Sequence, residues 1–343
     1  MHIQCPSPRE PVQNSTALGQ LQGDLTARGR RAYAWAVPGP KPADGSLLGV
    51  EDLDREAVTA LLDRAEALAT GAPPHGACRG APVGLLFHEP STRTRLSFAR
   101  AARWLGAEPQ ALGEAGSSAV KGESLLDTAR TLEALGHRAL VLRHARSGAP
   151  HRLAPKLSVP LVNAGDGMHE HPTQALLDAL AVRRRLGRLE ALTVVFVGDV
   201  LHSRVARSTA RLFALFGASV RLCAPATLLP PTGAGFGGAS LHTDLTEALE
   251  GADVVVALRV QRERLVGGPL PSLADYARGW RIEAAALDRL APGSVFLHPG
   301  PMNRGVEVSD EVADGPRSLV ADQVASGVPV RAAVLERALV ASA

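Results

Sequence analysis

Two hydrophobic periodicities alternate along this chain. Apolar residues three and four apart mark helices, and short unbroken apolar runs mark buried strands. From about Asp54, the residues Val58, Leu61, Leu62, Ala65 and Leu68 share one helical face, and Gly71-Ala72-Pro73-Pro74 closes it. Beyond that point the pattern predicts strands at 83–87, 107–112, 139–142, 159–163, 193–197, 219–223, 253–258 and 294–297. Helical patterns fall between them, notably at 124–135, 172–186, 203–215 and 245–249. This order predicts parallel sheets covered by helices. The expected fold class is α/β, with two domains, each a parallel sheet flanked by helices. The long amphipathic segment 172–186 bridges a domain near 46–177 and a domain near 178–318. The C-terminal stretch 319–343 is expected to fold back on the first of them. Residues 1–45 lack periodicity and are expected to be a disordered or loosely packed extension.

The stretch GLLFHEPSTRTRLSFARAARWL, residues 84–105, carries the first chemistry. A buried strand, 84–87, runs into a tight turn at His88-Glu89-Pro90 and then a helix with Ser91 as its N-cap. Leu96, Ala99, Ala102 and Leu105 have the spacing of one buried face. A helix N-terminus offers free backbone N–H groups and the positive end of the dipole. Ser91, Thr92, Arg93 and Thr94 add three hydroxyls and a guanidinium, a pocket suited to phosphate. The plainer alternative is a decorated cap with a surface arginine.

Other polar clusters follow the strands, where open parallel sheets bind ligands beyond their carboxyl ends. Two sheets joined by one helix would turn these loops into a shared cleft. Arg143-His144 follows one strand, and 163–171 follows the next. Within His169-Glu170-His171-Pro172-Thr173-Gln174, Pro172 suits the first helical position, placing His171 at the cap and Gln174 one turn in. HxxxH and HExxH spacing is absent, so a zinc site is rejected in favour of a neutral imidazole donor. Gly198-Asp199 ends a strand before a helix but lacks GxGxxG, so dinucleotide binding is weakly signalled. Arg204, Arg259 and Gln261 are placed to face the cleft, and two arginines aimed at one site suit a dicarboxylate. The loop from Ser117 to Ser124, with Lys121, is a candidate lid or simply a solvated loop.

Composition narrows the classes. The chain has 343 residues, 45% of them apolar, enough for two sizeable cores. No apolar run reaches membrane-spanning length, and the first residues lack a signal-peptide core. Cys5, Cys78 and Cys223 have neither metal nor disulfide spacing and read as free thiols of a cytoplasmic protein. The net charge of +3 and a pI near 9.0 raise nucleic-acid binding, but no basic run or aromatic–basic interleaving supports it. Lysine occurs only at 41, 121 and 156, so Lys121 in a polar loop is the more informative.

Taken together, FHEPSTRTRLSF, SSAVKGESLLDTARTLEALG, VLRH, GDGMHEHPTQALLD, VGDVLHSRVARS, LRVQRERL and HPGPMNRGVEVSDEVADGP resemble the catalytic chains of aspartate carbamoyltransferases. The resemblance runs in order from about residue 47 to the C-terminus. Ornithine carbamoyltransferases share the STRTR element, but they typically carry an HCLP loop where this chain has His298-Pro299-Gly300-Pro301, and they lack the lid with Ser117 and Lys121. None of the family's motif residues is lost, which opposes a non-catalytic assembly scaffold.

The resemblance implies transfer of the carbamoyl group of carbamoyl phosphate to the α-amine of L-aspartate, an early step of pyrimidine synthesis, with no cofactor and no metal. It implies that Ser91, Thr92, Arg93 and Thr94 hold the phosphate, and that Thr94, Arg143 and His171 polarise the carbonyl oxygen. Gln174 and the backbone at Pro299, Gly300 and Pro301 would hold the carbamoyl nitrogen. Arg204, Arg259, Gln261 and Lys121 would bind aspartate. Ser117 and Lys121 would come from a neighbouring subunit, so the implied unit is a homotrimer with its site at a subunit interface. Some bacterial relatives also assemble with regulatory or dihydroorotase-like chains. Relatives often have a further lysine where this chain has Val120. No nucleic-acid or membrane partner is implied.

Overall fold

A computed structural model describes residues 41–113, 122–260 and 272–343. The expectations for residues 1–40, Ser117, Lys121 and Gln261 fall outside these.

The first apolar run becomes β1 (Pro82–Phe87), joined in one sheet by β2 (Glu108–Gly113), β3 (Ala139–His144) and β4 (Leu161–Asp166). The order is β2-β1-β3-β4 and every pairing is parallel. The helices between these strands are α1 (Arg55–Ala69), which precedes β1, then α2 (Thr92–Trp104), α3 (Leu125–Ala134) and the short α4 (Ala149–Leu153). Asp54 caps α1 by accepting from the Ala57 amide, and Ser124 caps α3 by accepting from Asp127.

The bridging helix is α5 (Pro172–Leu186). Proline starts it, and Gly187 ends it in a left-handed conformation, φ 76°. Its residues from Pro172 to Val182 are all buried, because it is covered on several sides at once. A second sheet follows: β5 (Thr193–Val197), α6 (Arg204–Leu215), β6 (Ser219–Cys223), β7 (Ser240–His242), α7 (Leu245–Leu249), β8 (Val254–Ala257), α8 (Leu273–Trp280), β9 (Val295–Leu297) and α9 (Asp310–Ala313). Its order is β7-β6-β5-β8-β9, again all parallel. The final helix, α10 (Val320–Ala341), packs on α1, α2 and α5. One apolar core runs through both sheets by way of α5, from Val83 and Val141 through Leu176 and Leu180 to Val194 and Phe196.

Three details depart from the sequence expectations. Leu96 is 60% exposed, so it is not part of the buried face of α2. That face is instead Thr94, Phe98, Ala101, Ala102 and Leu105, a rotation that buries the larger Phe98 ring. The fourth strand runs 161–166, so its end carries Asp166 into the sheet. Finally, the three-residue β7 and the helices α4, α8 and α9 have no counterpart in the sequence pattern: β7, α4 and α9 are very short, and α8 buries Tyr276 alone, so no apolar face marks it. Gly45 lies against the end of α10, where a Cβ on it would sit 2.8 Å from Ala341 Cβ.

Candidate active site

Each sheet reverses its strand order beside its first strand, so the loops beyond β1 and β3, and beyond β5 and β8, flank natural crevices. The described sequence-predicted residues stand beyond β1 (Ser91–Thr94), at the end of β3 (Arg143), and beyond β4 (His171, Gln174), β5 (Arg204), β8 (Arg259) and β9 (Gly300, Pro301).

The first of them is the start of α2. Ser91 stands at the N-cap, but its hydroxyl caps nothing. The side chains of Ser91, Thr92, Arg93 and Thr94 make no hydrogen bond or ion pair among the described residues. Four donors thus converge unspent on a helix N-terminus. Burial holds the Arg93 guanidinium below its ordinary pKa, the mark of a partly desolvated charge. The guanidinium lies against Gly300, at φ +62°, and any Cβ there would overlap it. Glycine therefore serves both the left-handed backbone and the close approach. The loop between β9 and α9 is thereby joined to the phosphate-type pocket; its Gly300–Pro301 peptide is cis.

Around this pair lies His298, buried and with Nδ1 accepting from the Gly300 amide at 2.9 Å. Burial, with Arg93 and Arg259 close by, lowers it to about 3, so the ring is neutral. Arg259 follows β8, the strand beside β9, whose end carries His298. His171 stands at the N-cap of α5. Burial first, then the charges of Arg143, Arg204 and Arg331, push it well below the usual histidine range. A neutral ring follows, as the sequence suggests. Its backbone amide donates to Ser208 Oγ at 2.8 Å, and its Nδ1 is buried without a partner.

Glu89 is a turn residue by sequence; the structure makes it a hub. Its carboxylate accepts from Arg143 Nη2 at 2.9 Å and from Arg204 Nη1 and Nη2 at 2.9 and 2.8 Å. Burial pushes this carboxyl up, but the bonds and charges of the two arginines outweigh it, and the net shift is downward. Arg143 also donates to the Ala164 carbonyl, and Arg204 to that of Gly167. Both guanidiniums press on Gly165, whose added Cβ would lie 3.1 Å from Arg143 Nη1 and 3.2 Å from Arg204 Cζ. Arg204 therefore reaches the cleft, but already paired across the two sheets. The only sequence signal for Glu89 is an acid inside a stretch otherwise built for anions.

Arg331, on α10, carries no sequence signal of its own. It is buried, rests over the Phe98 ring at 5.3 Å, and burial lowers it to about 10. Gln174 is buried in the first turn of α5, its Nε2 donating to Asp178 Oδ1 at 2.8 Å.

Among the described residues, one group has metal-type donors: His151, Asp166 and His169, whose ligand atoms lie within 4.8 Å of one another. Both Asp166 oxygens are occupied, by Asn163 Nδ2 and the Glu170 amide, and by the Gly148 amide and His169 Nδ1. Asp166 instead ties the loop that carries His171.

Family models match the chain twice. Residues 46–184 match the carbamoyl-phosphate-binding domain of aspartate/ornithine carbamoyltransferases, and residues 190–338 match their aspartate/ornithine-binding domain. The chain belongs to the aspartate/ornithine carbamoyltransferase family. Within the family, it is 52% identical over 295 residues to the aspartate carbamoyltransferase catalytic subunit of Gluconobacter oxydans, covering 85% of this chain and 94% of that one. The corresponding subunit of Sorangium cellulosum is 52% identical over 293 residues, covering 84% and 91%. Among solved structures, Trypanosoma cruzi aspartate transcarbamoylase in complex with carbamoyl phosphate and aspartate aligns with a TM-score of 0.77 at 30% identity, over 86% of this chain and 97% of that one. Thermus thermophilus ornithine carbamoyltransferase aligns equally well, at 0.77 and 31%, over 86% and 99%. Backbone shape thus leaves the acceptor amino acid open within the family; the side chains of the cleft and the curated relatives bear on it. No described helix is long and apolar enough to cross a membrane.

Proposed function

We propose that this chain is an aspartate carbamoyltransferase. It would transfer the carbamoyl group of carbamoyl phosphate to the α-amine of L-aspartate, giving N-carbamoyl-L-aspartate and phosphate for pyrimidine synthesis. One observation carries the reading: the unspent donors of Ser91, Thr92, Arg93 and Thr94 meet the Gly300 loop at a helix N-terminus. That arrangement suits a phosphate whose attached group lies toward the Gly300 loop.

The chemistry follows from the placement. The phosphate oxygens take the hydroxyls and amides of 91–94 and the Arg93 guanidinium. The carbonyl oxygen meets Thr94, Arg143 and His171. Because His171 is neutral, it can donate one N–H without bringing a second positive charge beside Arg143. The aspartate amine attacks the carbonyl carbon and its electron pair forms the new C–N bond. The C=O pair moves onto oxygen, where those donors hold the negative charge. Collapse restores the carbonyl, breaks the C–O bond to phosphate, and the leaving phosphate accepts the amine proton. A single donor to such an oxyanion is worth roughly 3 kcal/mol of barrier. Arg204, Arg259 and Gln261 would bind the aspartate carboxylates, and Gln174 with the backbone at Pro299, Gly300 and Pro301 would hold the carbamoyl nitrogen.

The reading includes a division of the chain near 177/178, inside α5, with 46–177 binding carbamoyl phosphate and 178–318 binding aspartate. It also includes a homotrimer in which Ser117 and Lys121 serve a neighbour's site, and a cytoplasmic location, which the buried free thiols of Cys78 and Cys223 support. The test is initial-rate kinetics of the purified chain with carbamoyl phosphate and either L-aspartate or L-ornithine. Turnover with aspartate alone is expected; efficient carbamoylation of ornithine alone would overturn the acceptor assignment.

A further inference from the structure

Asp178 stands one helical turn after Gln174 on α5 and is fully buried. Its Oδ1 accepts from Gln174 Nε2 at 2.8 Å and from Gln323 Nε2 at 2.7 Å. Its Oδ2 accepts from Thr209 Oγ1 at 3.1 Å. The donors come from α5, α6 and α10, so one carboxylate collects three helices.

An ionised carboxylate accepts hydrogen bonds and donates none. Both glutamines must therefore turn their amino ends toward Asp178 and their carbonyl ends away. For Gln323 the consequence is visible: its Oε1 accepts from the His298 backbone amide at 3.0 Å, fixing the chain just before Pro299-Gly300-Pro301. For Gln174 the carbonyl Oε1 is left without a partner among the described residues, although the side chain is only 8% exposed. An oriented carbonyl can receive an N–H; the same amide flipped would offer an N–H and repel one.

We infer that Asp178 is a positioning residue that sets the polarity of Gln174, so that this amide presents an acceptor to the NH2 group of the carbamoyl donor and rejects the acyl phosphate bearing a methyl there. Through Gln323 and the His298 amide, the same carboxylate holds the loop on the other side of that group. Burying this carboxylate is costly in itself, which suits a role beyond packing. Desolvation raises the Asp178 carboxyl to about 6, against the pull of the three side-chain donors and Arg331. The inference rests on the site being the carbamoyl phosphate site.

The experiment compares carbamoyl phosphate with acetyl phosphate, in which a methyl replaces the amino group. For each, kcat/KM is measured with L-aspartate; acetyl transfer forms N-acetyl-L-aspartate and releases phosphate by the same bond changes. The wild-type protein should prefer the carbamoyl donor, and Gln174→Ala should lower that preference by about tenfold, the worth of one hydrogen bond of ordinary strength. Asp178→Leu, which frees Gln174 to turn, should lose a similar factor, almost all of it on the carbamoyl side. Asp178→Asn keeps an oxygen for both glutamines and can turn its own amino group to Thr209, so it should stay within about threefold of wild type. Thr209→Val removes a bond to the same carboxylate without touching either glutamine, and should leave the ratio unchanged even if Tm falls.

A folded Asp178→Leu protein in which both rates drop together, with the ratio intact, would reduce Asp178 to a structural residue. So would a Gln174→Ala protein that keeps the full preference. If the leucine variant fails to fold, Asp178→Ala takes its place, a lowered ratio supporting the inference and an intact one overturning it; a collapsed ratio in Asp178→Asn would also overturn it. Failure of the wild type to use carbamoyl phosphate with aspartate would instead remove the functional reading itself.

Discussion

Replacing Glu89 by alanine removes the carboxylate that links Arg143 to Arg204. The three bonds are short, at 2.8–2.9 Å, and all three side chains are 80% or more buried. A charge-assisted hydrogen bond contributes about 1.5–3 kcal/mol. The three are not additive, because they share one carboxylate and each arginine keeps a backbone carbonyl, at Ala164 or Gly167. Breaking a well-buried pair costs about 3–5 kcal/mol. With the carboxylate 20% exposed, the low end applies, about 3 kcal/mol. If both guanidiniums must be held for transfer, that loss lowers kcat/KM for aspartate by about two orders of magnitude.

The assay is initial-rate kinetics alongside thermal unfolding for Glu89→Ala and Glu89→Gln. Both variants should fall, with the glutamine less destabilised because it fills the space. The carboxyl is held below its unfolded value, so the stability it contributes is fully present above that unfolded pKa and is lost as pH falls through the folded one. Tm of the wild type should therefore drop on acidification more than that of Glu89→Gln. A variant with kcat/KM within about threefold of wild type, and the same acid sensitivity, would refute the idea that Glu89 holds the two arginines.

Other perturbations follow from the same geometry. Arg93→Ala should leave the fold intact and cripple turnover, with carbamoyl phosphate binding weakened by at least about tenfold; near-normal kcat and affinity would remove the phosphate assignment. Gly300→Ala should cost activity more than its single methyl suggests, since the Cβ must displace the Arg93 guanidinium; unchanged kinetics would mean the two need not touch. His171→Ala should lower kcat by about two orders of magnitude with little effect on Tm, and a smaller loss would take the imidazole off the oxyanion. A Lys121→Ala chain mixed with an Arg93→Ala chain under subunit exchange should regain activity in hybrid sites. A dead mixture, with exchange verified, would contradict the shared site.

Regular features are legible in the sequence where local chemistry and tertiary packing agree. The helix over 172–186 is readable because proline at its first position and glycine after its last are local signals. The Ser91–Thr94 pocket is readable for the same reason, as strand, turn and cap lie close together in sequence. Leu96 is misplaced by spacing because two nearly equivalent faces are allowed, and only the docking of Phe98 beneath Arg331 on α10 selects between them. Glu89 and Asp178 escape a sequence reading for a different reason. Their partners stand 115 and 145 residues away, at Arg204 and Gln323, and no periodicity reports a pairing made by the closure of the fold. The neutral state of His171 is legible, but its cause, burial beside three arginines, is not.

The central claim is a bond: the carbamoyl carbon becomes attached to the aspartate nitrogen. The direct measurement supplies 13C-labelled carbamoyl phosphate and 15N-labelled L-aspartate to the purified protein and follows the 13C signal by NMR. The account predicts a new carbonyl resonance, split by one-bond coupling to 15N, growing in step with released phosphate. Phosphate release with only unsplit 13C products, or a split signal only when 15N-labelled ornithine replaces aspartate, would contradict it.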